Sequence, residues 1–268
     1  MILQVPGARI AYEVRGDGPL LVLIAGANGD ATIFEPLAEQ LAAHFRVSTY
    51  DRRGFSRSRL DGAQAYEHRL RTDADDVRRV IQALGDEPAI VFGSSSGAIV
   101  ALRTLIDHPA WVKTLIAHEP PLVSLLPDAP TWHAFFDSLY QIYLESGIEA
   151  ALQRFARTII GDYDRRALMQ APEPANREVE RANRTYWFEH ELRQYPCSAL
   201  DLETLGVFRD RLLLACGRES REQMTYRPNA LIAERLGIEL LELPGGHVGY
   251  ATDRVAFAKE LSAALQRV

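Results

Sequence analysis

The chain has 268 residues, a formal net charge of -6 and a pI near 5.7, with 47% hydrophobic and 25% charged residues. That length suits one large domain or one domain with an insertion, and the acidic balance argues against a nucleic-acid-binding surface. No apolar run reaches the roughly 20 residues of a membrane span, and the N-terminus lacks the basic-then-apolar pattern of a signal peptide.

Ile2–Pro6 and Ile10–Val14 read as an antiparallel hairpin turning near Gly7. Leu20–Ile24 is continuously apolar, as in a strand buried on both faces. Ile33, Leu37, Leu41 and Phe45 share one face of a predicted helix, and Val47–Tyr50 follows as a strand. Tyr66–Leu84 is a long charged helix with Leu70, Val77 and Ile81 on its apolar side. Ala89–Phe92, Thr114–Ala117, Arg211–Cys216 and Glu239–Leu243 are further strands; Ser96–Asp107, Pro228–Leu236 and Arg254–Gln266 are further helices. Such alternation predicts a mostly parallel sheet covered on both faces. Between Pro120 and Leu205 the pattern is helical and aromatic, with Trp132, Phe135, Phe136, Tyr140, Tyr143, Tyr186, Trp187 and Phe188. Residues 121–199 are therefore expected to form a helical cap over a core of 1–120 and 200–268, at the sheet edge where open α/β folds bind ligands.

The stretch GSSSG, Gly93 to Gly97, stands between a predicted strand and a predicted helix. In the frame G-x-S-x-G only Ser95 has a glycine two residues away on each side. At a strand-to-helix turn that frame presents a serine hydroxyl as a nucleophile, with strained backbone angles and the helix N-terminus favouring negative charge. A serine needs a base. His44, His68 and His108 fall on helical stretches, and His133 and His190 in the expected cap. His118 closes a strand but comes early in the chain. His247, in the glycine-rich ELPGGHVGY near the C-terminus, fits the order serine, acid, histidine. Asp51 in YDRRGFSRS is read as structural, and Arg52 and Arg53 as solvent-facing charges. Cys197 and Cys216 are read as reduced thiols, which with the absence of a leader predicts a cytoplasmic protein.

LLVLIAGANGD, YDRRGFSRS, GSSSG and PGGH, in that order and with the inserted helices, resemble the α/β-hydrolases along the whole chain. The resemblance implies an α/β-hydrolase fold, with a mostly parallel eight-stranded sheet flanked by helices. Superfamily members most often place the acid three residues beyond a glycine after the strand read here as RLLLACG; that position is Ser220. Glu219 and Glu222 are near but out of register, and the other known location, the end of the strand in TLIAHEPP, holds Glu119. Either strand end could supply the carboxylate that orients the imidazole.

The stretch Gly93–Pro120 is similar, more narrowly, to the zearalenone lactonases, serine hydrolases that open a resorcylic macrolactone. That resemblance implies the triad Ser95, Glu119 and His247, with Glu119 standing 24 residues after Ser95. It places the oxyanion hole at the backbone N–H groups of Ala27 and Ser96, and Trp187 at the pocket as the cap tryptophan that contacts substrate. No metal and no cofactor is implied. The expected partner is a small hydrophobic ester or lactone, with no nucleic acid and no membrane, and a homo-oligomer is compatible with the sequence. A thioesterase, a C–C bond hydrolase or a haloperoxidase-like activity would use the same scaffold, as would a ligand sensor with a vestigial site.

Overall fold

The structure is a computed structural model that describes residues 1–169 and 176–267. It opens with β1 (Ile2–Val5), β2 (Ala8–Arg15) and β3 (Leu20–Ile24), then α1 (Glu35–Leu41), β4 (Arg46–Tyr50) and the two-residue β5 (Arg59–Leu60). After α2 (Arg69–Leu84) come β6 (Ala89–Ser94), α3 (Ser96–Asp107) and β7 (Val112–His118). Helices α4 (Ala129–Ser146), α5 (Ile148–Ile159), α6 (Asp162–Leu168), α7 (Arg177–His190) and α8 (Leu202–Gly206) precede β8 (Leu212–Gly217). The chain ends with α9 (Arg227–Leu236), β9 (Leu240–Leu243), α10 (Gly249–Thr252) and α11 (Arg254–Leu265). No helix among the described residues is long and apolar enough to cross a membrane.

The nine strands among the described residues form one sheet in the order β1-β2-β4-β3-β6-β7-β8-β9, with β5 paired to β2. The hairpin β1–β2 and the pair β2–β4 are antiparallel, and every pairing from β4 across to β9 is parallel. Eight of these strands coincide with the predicted runs; β5 is the addition, too short to show a period of its own.

The apolar run of β3 divides between two cores because successive strand side chains face opposite ways. Val22 and Ile24 pack with Val77 and Ile81 of α2 and Ile99 and Leu102 of α3. Leu21 and Leu23 pack with Leu37 and Leu41 of α1 and Phe257 and Leu261 of α11. A third cluster joins Phe136, Leu139, Ile148, Trp187 and Phe188 of the helices between β7 and β8 to Phe55, Ala27 and Met224. These last three follow β4, β3 and β8, so this cluster covers the carboxyl edge of the parallel strands. Adjacent parallel strands bring the residues after β6, β7, β8 and β9 together along that edge.

Candidate active site

Ser95 is the residue between β6 and α3, with φ 56° and ψ -128°. A non-glycine residue in this region is strained by about 1–3 kcal/mol and persists only where its surroundings over-determine it. The flanking glycines do this. A Cβ on Gly93 would meet the Gly97 carbonyl at 2.3 Å, and one on Gly97 the Ile24 carbonyl at 2.2 Å. The Ser95 N–H donates to the His118 carbonyl at 2.9 Å, tying the turn to β7.

Glu119 follows β7 and is fully buried, also at positive φ, 47°. Its carboxylate collects three donors from separate parts of the chain. The Gly217 N–H donates to Oε1 at 2.8 Å, and the Thr225 hydroxyl donates to Oε2 at 2.8 Å. His247 Nδ1, in the loop after β9, lies 2.7 Å from Oε2 and is 5% exposed. Burial alone would raise this carboxyl. The His247 hydrogen bond and charge and the Gly217 amide outweigh it and hold Glu119 at about 2. Glu219 and Glu222 are exposed, and Ser220, 1% exposed, has no partner for its hydroxyl. Of the carboxylates considered from sequence, Glu119 is the one bonded to His247. Asp164 of α6, absent from the sequence reading, is 2% exposed and faces the backbone amides of His247 and Val248.

His118 points away from this bond, as strand alternation requires. Its Nδ1 is 3.0 Å from the Ser94 hydroxyl, and its Nε2 has no partner. Complete burial lowers its pKa to about 4, although the Glu119 charge pulls the other way. The folded chain therefore holds a neutral imidazole where the unfolded chain, below about pH 6.5, binds a proton. Stability from this residue is complete above about pH 6.5 and is lost as the pH falls towards 4. The loss should be on the order of 3 kcal/mol. Unfolding midpoints measured from pH 7 to pH 4 should fall more steeply for the wild type than for His118→Gln; parallel curves would show that another group sets the acid limb.

Ala27, Ser95 and Ser96 form the floor of a cleft walled by Phe136 of α4, Phe155 and Ile159 of α5, Trp187 of α7, Met224, and the prolines Pro121 and Pro196. The cleft is narrow, with a cavity volume of about 20 Å³. Trp187 is 7% exposed and packs edge-on against Phe155 and Phe188, at 5.1 and 5.0 Å between ring centroids. Among the described residues, no group of three His, Cys, Asp or Glu is placed to hold a metal ion.

The loop YDRRGFSRS differs from expectation. Asp51 binds the Ala31 amide and the Arg57 side chain, in keeping with a structural role. Arg52 and Arg53 are 0% and 3% exposed, not solvent-facing. Arg53 forks onto Asp76 with bonds of 2.7 and 2.8 Å, and Arg52 reaches Asp73 and Glu191 at 2.9 and 2.7 Å. The helix α2, read as a long charged helix with Leu70, Val77 and Ile81 on its apolar side, also buries Asp73 and Asp76, which makes these charges possible.

The α/β-hydrolase-fold family matches residues 19–192. A Bacillus subtilis (strain 168) protein named "Uncharacterized hydrolase YraK" is 36% identical over 99% of this chain and 95% of its own. The chain belongs to the α/β-hydrolase-fold family and is a hydrolase. The chain is also similar to a zearalenone hydrolase of Bionectria ochroleuca, at 28% identity over 92% of this chain and 90% of the other. Among solved structures, an α/β hydrolase from Sphaerobacter thermophilus DSM 20745 superposes with a TM-score of 0.68 at 25% identity, covering 96% of this chain and 99% of that one.

Proposed function

We propose that the protein is a serine hydrolase that cleaves a hydrophobic carboxylic ester or lactone through an acyl-enzyme. The observation that carries this reading is the buried 2.7 Å bond between His247 Nδ1 and Glu119 Oε2, with Glu119 directly after His118, whose carbonyl accepts the N–H of the strained Ser95 at 2.9 Å. Bonded to a carboxylate through Nδ1–H, His247 has Nε2 free to take the Ser95 proton, and Glu119 stabilises the imidazolium that results. Ser95 Oγ attacks the carbonyl carbon, and the backbone N–H groups of Ala27 and Ser96 bind the oxygen as it becomes negative. His247 then returns the proton to the departing alkoxide, leaving Ser95 acylated. Water, deprotonated by His247, attacks the acyl carbon, and His247 passes that proton to Ser95 Oγ as the ester bond breaks, releasing the acid and the free serine.

Supporting the hydrophobic preference are the aromatic and aliphatic walls of the cleft, which carry no charged side chain among those that line it. The relative named zearalenone hydrolase supports a bulky aryl lactone over a small ester. On this reading residues 121–199 are a cap over a core of 1–120 and 200–268, and the cap closes the cleft around the acyl group.

A fluorophosphonate probe should label Ser95, mapped by mass spectrometry, and the protein should then lose turnover on a panel of aryl esters and macrolactones. Labelling at Ser94 or Ser96, or turnover that survives full labelling, would overturn the assignment.

Trp187→Ala should raise KM for a bulky aryl ester roughly tenfold while changing a small acetyl ester less than about threefold, because only the larger group reaches the indole. Equal effects on both substrates, tracking a lower unfolding midpoint, would make Trp187 a packing residue and nothing more.

A further inference from the structure

Arg52 has the largest fully buried side chain among the described residues. Its guanidinium donates from Nη1 to Asp73 Oδ2 at 2.9 Å, from Nη2 to Glu191 Oε2 at 2.7 Å, and from Nη2 to the Gly26 carbonyl at 2.9 Å. Arg69 shares both carboxylates, 2.8 Å from Glu191 and 3.9 Å from Asp73, so two cations meet two anions. Charge balance accounts for the carboxylate bonds but not for the third. Nor does stability call for an arginine here, since a well-packed apolar cluster commonly replaces a buried ion network at no cost. What an apolar side chain could not do is donate to Gly26.

The Gly26 carbonyl and the Ala27 N–H belong to one peptide unit. That unit is planar and trans, so its C=O and N–H point in opposite directions. A group that grips the oxygen therefore aims the N–H. Ser95 stands against the same peptide: a Cβ on Gly26 would lie 2.9 Å from Ser95 Cβ and 3.6 Å from its Oγ. Ala27 lines the same cleft as Ser95 and Ser96. The Gly26 carbonyl also accepts the Gly29 N–H at 2.9 Å, which fixes the plane from a second direction.

We propose that Arg52 is a positioning residue for the oxyanion hole: by holding the Gly26 carbonyl it sets the plane of the Gly26–Ala27 peptide and directs the Ala27 N–H at the oxygen of the reacting carbonyl. This rests on the serine-hydrolase reading above. A cationic donor on the carbonyl also polarises the peptide and strengthens the N–H as a donor, most of all where water is excluded.

Two double variants separate this role from a merely structural one. Arg52→Met/Glu191→Gln and Arg69→Met/Glu191→Gln each remove one cation and one anion, so the cluster stays balanced, but only the first removes the bond to Gly26. The first should lower kcat/KM for an aryl ester about ten- to hundredfold, mostly in kcat, the range expected when an oxyanion donor is misaimed. It should weaken an aryl trifluoromethyl ketone, which forms a tetrahedral oxyanion on the serine, by a similar factor. The second should stay within about threefold of wild type in both measurements, since its donors never touch the peptide. Equal losses in the two variants would overturn the proposal. If the first does not fold, Arg52→Lys serves, because an ammonium beside Asp73 and Glu191 lacks the planar fork that also spans to Gly26; it should lose about tenfold in kcat and in ketone affinity, and wild-type values would overturn the proposal. Fluorophosphonate labelling of the wild type distinguishes the two failures. An unlabelled Ser95 removes the serine-hydrolase reading itself, whereas a labelled Ser95 with equal losses in the double variants removes only the role of Arg52.

Discussion

Ser95→Ala should lower kcat for an aryl ester by roughly 10⁵- to 10⁶-fold, because without the hydroxyl no acyl-enzyme forms and only binding and the oxyanion donors remain. The neighbouring serines make the comparison sharp. Ser96 has an unpartnered hydroxyl, 4% exposed, and in the proposed mechanism uses only its amide. Ser96→Ala should therefore stay within about threefold of wild type. The Ser94 hydroxyl lies 3.0 Å from His118 Nδ1 in a fully buried setting. Ser94→Ala should keep most of the turnover but lower stability by about 1–3 kcal/mol, the usual cost of leaving a buried polar partner unmatched. Steady-state kinetics and denaturant unfolding on the three variants read both quantities. If Ser95→Ala retained turnover while Ser94→Ala or Ser96→Ala lost it, the frame Gly93–Ser95–Gly97 would have been read one residue out.

The second large effect is expected at Glu119. Glu119→Gln should lower kcat by about 10³- to 10⁴-fold. An amide cannot stabilise the His247 imidazolium, and its NH₂ would face a ring nitrogen that now donates. It also keeps one acceptor oxygen where the carboxylate has two, and the Gly217 N–H and the Thr225 hydroxyl bind different oxygens. One of those donors, or His247, must lose its acceptor. Some loss of stability should accompany the loss of rate, and Ser95 should react with a fluorophosphonate correspondingly more slowly. Glu219→Gln and Glu222→Gln should match the wild type, since both side chains are exposed. A dead Glu219→Gln beside an active Glu119→Gln would move the acid to the β8 loop.

What the sequence disclosed and what it hid follow one line of division. Signals carried by neighbouring residues were legible. β3 matches the run Leu20–Ile24, and α3 begins at Ser96 and ends at Asp107 as its pattern required. The strain at Ser95 followed from the two glycines. Signals created by contact across the chain were not. Thr225 holds the Glu119 carboxylate from 106 residues away, and a lone threonine in a loop carries no pattern that announces it. Asp164 reaches the His247 loop from a short helix that composition marks only as polar. Arg52 and Arg53 were misread for the same reason. Consecutive arginines in a loop look solvated until Asp73, Asp76 and Glu191 are seen to surround them, and Glu191 lies 139 residues from Arg52. The choice of Glu119 over Glu219 and Glu222 came from resemblance, because spacing alone left both strand ends open.

The 128-residue separation between Glu119 and His247 also has a consequence for how the protein comes into being. The serine turn is made from adjacent residues of β6 and α3, and its further contacts come from Ile24 of β3 and His118 of β7, all earlier in the chain than Glu119. His247, by contrast, depends on β9, which among the described residues is an edge strand paired with β8, and on a loop made long after the turn during synthesis. Long-range strand pairing closes slowly because the loop entropy must be overcome first. On the proposed mechanism, a nascent chain thus carries a serine with no base, an ordinary alcohol. On that reading, reactivity waits for the docking of the edge strand, which brings the imidazole to the Glu119 carboxylate that Gly217 and Thr225 also bind.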